Sequence, residues 1–160
     1  MRAVPGQQAH LPRIDEHATD VAADPDDVWA ALGETLDAVL SRRWTAAASR
    51  VVGCADSRAS GPRPLVEGST IPGFRVTAAV PRAELALEGR HFFSTYVLTF
   101  RIDPLEGDRT RLRAESRAAF PGVAGRTYRL LVIGTGGHVV AVRRLLADVR
   151  RRAERRTART

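Results

Sequence analysis

Lysine is missing from this 160-residue chain, so all 25 of its basic residues are arginines. That usage is read as the codon bias of a GC-rich genome, and arginine's planar, permanently charged head also lets it lie along apolar surface. Cysteine is nearly missing too. Cys54 stands alone, which excludes an intramolecular disulfide and any multi-cysteine zinc site. Long apolar runs are lacking: the longest, Val28–Leu32, is far below the roughly 18 residues of a membrane span. The opening stretch MRAVPGQQAHLPR has no apolar segment and does not read as a signal peptide, so the cytoplasm is the expected compartment. No Gly-x-Ser-x-Gly nucleophile motif occurs.

What is present is ordinary globular composition, 44% hydrophobic and 27% charged, in a length that suits one domain. The net charge of +7 is unevenly placed. Residues 143–160 hold eight arginines against Asp148 and Glu154, whereas residues 1–142 hold 17 arginines against 16 acids. The basic C-terminus could face anionic membrane headgroups, or simply be a solvated helix face with a frayed end. Nucleic acid is not expected as a partner, because this stretch has no aromatic residue for stacking on bases.

Residues 1–12 carry Gly, Pro and Gln without periodicity and read as a flexible arm before a domain at 13–156, with 157–160 as a frayed tail. Alternation of Thr19, Val21 and Ala23 predicts a strand over 13–23. Asp24-Pro25-Asp26-Asp27 predicts a helix start, with Val28, Trp29, Leu32, Leu36, Val39 and Leu40 on one face. A second short helix is predicted from Thr45 to Val52, ending at Gly53, followed by a loop over 56–64. The period then changes to two. Strands are predicted at 65–69, 73–80, 83–91, 95–103 and 109–119, and their short links make an antiparallel meander. Tyr96, Leu98, Phe100 and Ile102 share one face, as do Thr110, Leu112, Ala114, Ser116 and Ala118. After Phe120-Pro121-Gly122, the spacing of Tyr128, Leu131, Thr135, His138, Val142, Leu145 and Val149 predicts a long helix that Gly134, Gly136 and Gly137 bend or break.

The phrase LLVIGTGGHVVAV (130–142) has the spacing Gly-x-Gly of a dinucleotide fingerprint, but its sixth position is Val139 and only 21 residues follow. That is too little chain for the second strand and the ribose-binding acid, so no cofactor is expected.

The order strand, two short helices, antiparallel meander, long C-terminal helix resembles the START-like helix-grip superfamily, which includes polyketide cyclase/dehydrase-like and lipid-transport-like bacterial proteins. The residues that carry the resemblance are ATDVAADPDDVWAAL (18–32) and YVLTFRIDPLEGDRTRLRAES (96–116). It implies an α+β fold in which a curved antiparallel sheet wraps around the C-terminal helix and encloses an elongated apolar cavity. It also implies binding of a lipid, polyketide or aromatic compound, and in a minority of members a reaction on it. The small inward residues Ala114, Ser116 and Ala118, with the helix glycines, leave volume for such a hollow. Its expected lining is Trp29, Phe74, Leu85, Leu87, Tyr96, Leu98, Phe100, Leu112, Phe120, Tyr128, Leu131 and His138.

Within that wall His138, His91, Tyr128 and Tyr96 are the candidates for orienting polar ligand atoms or for acid–base work. The commoner reading of each histidine is an interior side chain satisfied by backbone or water. No carboxylate is expected beside them, since Glu88 and Glu115 fall on the outer parity. His10 and His17 lie in or near the arm, and no metal site is expected. Cys54 reads as a small packing residue. A homodimer is left open.

Overall fold

Residues 10–40 and 42–159 are described by a computed structural model, with residues 43–46 traced by their backbone. The arm expected at 1–12 therefore lies largely outside the described residues. Its end is tied to the domain: the Pro12 carbonyl accepts from the Ala118 N–H (3.0 Å) and the Leu11 carbonyl from Arg117 (3.2 Å).

Strand β1 (Arg13–Val21) leads into helix α1 (Pro25–Leu40) and the short helix α2 (Arg43–Val51). Asp24 caps α1, its carboxylate accepting from the Asp27 N–H at 2.8 Å. Strands β2 (Thr70–Ile71), β3 (Phe74–Val80), β4 (Glu84–His91), β5 (Ser94–Leu105) and β6 (Arg109–Ala119) follow. All pair antiparallel in the order β1-β6-β5-β4-β3-β2, so the first strand closes the meander on its last member. The strand expected at 65–69 is a turn instead. Gly68 has φ +89°, and the Ser69 N–H turns back to the Val66 carbonyl at 3.0 Å.

The C-terminal segment is broken. Helix α3 (Gly122–Arg129) runs into a π-helical turn (Leu130–Gly134), and helix α4 (Gly137–Thr157) starts at an angle of 50° to it. Gly136, at φ +74°, makes the corner that any residue with a Cβ adopts only under strain. Helices α1 and α4 pack on the sheet and on each other through Val28, Leu32, Leu36, Val142, Leu146, Val149 and Ala153, against Val21, Leu85, Leu87, Phe100 and Leu112. Each fully buried large side chain there contributes about 1.5–3 kcal/mol.

The arginines late in α4 are largely matched by acids. Arg156 meets Glu34 (2.8 Å) and Asp27 (3.4 Å), Arg152 meets Glu34 (3.3 Å), Arg150 meets Glu154 (2.9 Å), and Arg151 meets Asp148. Thr157, expected in a frayed tail, ends the helix and donates to Asp27 at 2.7 Å. Among the described residues no single helix is long and apolar enough to cross a membrane.

Candidate functional site

A partly open cavity of about 350 Å³ lies between the sheet and the broken segment. Its position follows from side-chain size. Along β4 the inward residues run Leu85, Leu87, Gly89, and along β6 they run Leu112, Ala114, Ser116, Ala118, so the interior empties toward one end of the sheet. Gly89 pairs with Tyr96, and a Cβ there would overlap the tyrosine ring and the Gly73 carbonyl. The glycine lets Tyr96 lie flat on β4 as part of the wall.

Six of the expected lining residues meet at this cavity, Phe74, Tyr96, Leu98, Phe120, Tyr128 and His138, and the acid–base candidate His91 joins them. Six do not. Leu87, Phe100 and Leu112 are on the predicted face but deeper along their strands, inside the solid core. Leu85 is likewise buried there, and with Trp29 it borders a separate cleft beside Arg63 and Leu65. Leu131 is 65% exposed. The π-turn explains Leu131: its wider turn takes one residue more than an α-turn, so Val132 and Ile133 reach the cavity and Leu130 and Leu131 face solvent. Uniform helical spacing had pointed to Leu131.

The aromatic part of the wall is tightly arranged. The Tyr96 hydroxyl donates to the Gly73 carbonyl at 2.7 Å and lies 3.9 Å from the Cys54 thiol. Burial pushes the Tyr96 phenol well above its ordinary range, so it keeps its proton, and that proton is engaged. Burial raises the Cys54 thiol and the Tyr128 phenol in the same direction. Tyr128 is edge-on to His91 (centroids 4.8 Å) and stacks on Phe93 (5.5 Å). His91 is fully occupied: Nδ1 accepts from the Phe93 N–H at 3.1 Å, which assigns its proton to Nε2, 3.2 Å from the Ser94 hydroxyl. Burial lowers its proton affinity. His91 is thus a neutral, locally satisfied ring, the interior reading of the two set out for it.

His138 stands in different company. It is the second residue of α4, and its Nε2 lies 2.9 Å from the Ser116 hydroxyl and 3.4 Å from Asp15 Oδ1. One N–H cannot point at both, and Asp15 Oδ1 is buried without a well-aligned donor. Asp15 Oδ2 is 3.2 Å from His17 Nε2. A carboxylate therefore does stand beside the histidine, contrary to the expectation from β4 and β6. A shift in pairing around Ile14 sets Asp15 opposite Ser116 and His17 opposite Ala114, both inward. The alternation that placed Thr19, Val21 and Ala23 on one face also holds Asp15 and His17, and following it back through the strand was the available signal. Among the described residues no group of three or more His, Cys, Asp or Glu is placed to hold a metal ion. The arrangement is a largely apolar chamber in which Ser116 and His138, backed by Asp15, form a polar pole apart from the mutually engaged His91–Ser94 and Tyr96–Cys54 groups.

A six-stranded antiparallel sheet gripping a C-terminal helix, with two helices after the first strand, is the helix-grip fold. Solved structures share it at low sequence identity. The ZhuI aromatase/cyclase from Streptomyces sp. R1128 is 18% identical, with a TM-score of 0.57 over 92% of this chain and 96% of that one. The di-domain aromatase/cyclase StfQ of the steffimycin pathway is 12% identical (TM-score 0.56) over 90% of this chain and 51% of its own. Protein CV1439 from Chromobacterium violaceum is 12% identical (TM-score 0.55) over 89% and 99%. No protein-family model matches the sequence, and no curated protein matches it significantly.

Proposed function

We propose that this chain binds a hydrophobic small molecule of the lipid, polyketide or aromatic class, its apolar body in the chamber and a polar atom at Ser116 and His138. The observation that carries the reading is the pairing of a roughly 350 Å³ largely apolar cavity with the Ser116–His138 polar pole. That volume lies toward the small end of the about 300–1,000 Å³ usual for small-molecule sites. Burial of the body supplies affinity, and the hydroxyl–imidazole pair supplies orientation. Native mass spectrometry of purified protein, with thermal shifts across a hydrophobic library, tests it. A retained compound or a saturable shift is expected; no adduct and no shift anywhere would count against it.

A second reading, cyclisation or dehydration of a polyketide-like substrate, is favoured by one feature. His138 Nε2 stands between a hydroxyl and a carboxylate, a setting in which an imidazole can pass a proton. ZhuI and StfQ are described as aromatase/cyclases, which makes polyketide-like compounds the first substrates to try. In this reading His138 is the acid–base group, Asp15 positions it, and Tyr96 and His91 shape the wall because their protons are engaged. His138→Ala should then abolish turnover and leave the fold intact, whereas unchanged turnover would remove His138 from any reaction.

A further inference from the structure

Three segments supply much of the cavity lining: the end of α2 with residues 52–54, the β4–β5 turn at 90–95, and the run from Phe120 through the π-turn to His138. They are joined to one another. The Val52 carbonyl accepts from the Phe92 N–H (3.3 Å), and the Arg90 carbonyl accepts from the Ala55 N–H (2.9 Å). A Cβ on Gly125 of α3 would come within 3.0 Å of the Phe93 carbonyl. This rim carries the most exposed of the large apolar side chains among the described residues. Val51, Phe92, Val123, Leu130 and Leu131 are each at least 65% exposed, while the others of that kind, Val66, Val80 and Val140, reach at most 52%. Side chains of that size crowd one end of a soluble surface for a reason.

The charge of the rim is as one-sided as its polarity. Residues 42–54, 90–95 and 120–138 contain Arg42, Arg43, Arg50, Arg90, Arg126 and Arg129 and not one aspartate or glutamate. Setting these six aside leaves 11 of the 17 arginines of residues 1–142 against their 16 acids. Arg42, Arg50, Arg90, Arg126 and Arg129 are exposed and form no ion pair among the described residues, unlike most of the α4 arginines, which face acids of α1 or of their own helix.

We propose that this rim docks on an anionic lipid bilayer, the exposed apolar side chains entering the headgroup boundary and the arginines meeting lipid phosphates. Apolar residues interleaved with arginine and free of acid are the signature of an interfacial segment. A second copy of the chain fits poorly, since it would set these five exposed arginines against five with no acid between them. The segments that carry this surface also line the cavity, so a hydrophobic guest would have a short path between bilayer and chamber. The docking itself does not depend on any guest.

Co-sedimentation with vesicles of phosphatidylcholine mixed with phosphatidylglycerol, against pure phosphatidylcholine, tests the proposal. Binding to the mixed vesicles alone, weakened by salt, is expected. Each basic side chain at such a surface contributes about five-fold, so Arg126→Gln with Arg129→Gln should weaken binding about thirty-fold. Leu130→Ser with Leu131→Ser should weaken it about ten-fold or more. Arg155→Gln with Arg159→Gln, exposed at the far end of α4, should leave it unchanged. Should the leucine pair disturb the thermal melt, the arginine pair carries the test. The proposal is overturned by absence of binding to mixed vesicles, by equal binding to both vesicle types, or by equal losses from rim and far-end pairs. Rim-dependent capture of poly-glutamate without vesicle binding would also overturn it and assign the rim to an acidic protein.

Discussion

From Leu85 to Gly89 along β4, and from Leu112 to Ala118 along β6, the inward side chains shrink while the strands continue unchanged. The helical layer changes at the same level. Over the leucines lie α1 and the regular part of α4, which fill the space with Val28, Leu32, Leu36, Leu146 and Val149. Over the glycine and alanine lie the short α2 and the π-turn, and the space stays open. One sheet thus carries a filled half and a hollow half. The difference shows that a cavity in a close-packed protein requires both small residues on the sheet and an interrupted helical layer above them, because either layer alone could supply the missing volume.

The comparison can be broken most severely from the filled half. Phe100→Ala should cost about 3–5 kcal/mol in urea denaturation, and Leu98→Ala, two residues along β5 and already beside empty space, less than half of that. Equal costs would mean that the two halves are packed alike. Next in size is Gly89→Ala, whose added methyl meets the Tyr96 ring and the Gly73 carbonyl. A loss of about 1–3 kcal/mol is expected, partly restored by Tyr96→Ala in the same chain. If Gly89→Ala were silent, the ring would not be held where the wall needs it.

A smaller effect sharpens the contrast between the two histidines. His91 has its proton affinity lowered by burial in the fold, so the unfolded chain takes up a proton first on acidification. Its contribution to stability is complete above the ordinary histidine value of 6.5 and is lost as the pH falls below it. His91→Gln should flatten that part of the stability–pH curve relative to the parent protein. An unchanged curve would show that the ring is not shielded from water.

Much of the architecture was legible in the chain. Alternation placed Tyr96, Leu98 and Phe100 on one face and Leu112, Ser116 and Ala118 on another, and both face inward; the Asp24-Pro25 start and the glycine break after residue 133 are also in place. Alternation gives the face of a strand, however, and not the depth along it. Leu87 and Phe100 therefore read as cavity wall when α1 and α4 cover them. Leu131 was misplaced because a π-turn shifts the helical phase by a residue, and nothing in LLVIG announces that turn. The turn at 65–69 carries strand-like Leu65 and Val66, but Gly68 takes the positive φ that ends pairing there. Asp15 and His17 went unnoticed as inward groups because the polar start of β1 was read through its apolar end.

Titration of 2-naphthol, a small aromatic body with one hydroxyl, into the parent protein and into Ala118→Leu addresses the hollow half directly. The parent should bind saturably at one site. The leucine, placed in the cavity wall, should weaken binding about ten-fold or more while stability stays within about 1 kcal/mol of the parent. Identical binding by both proteins, or no saturable binding by the parent, would contradict the account.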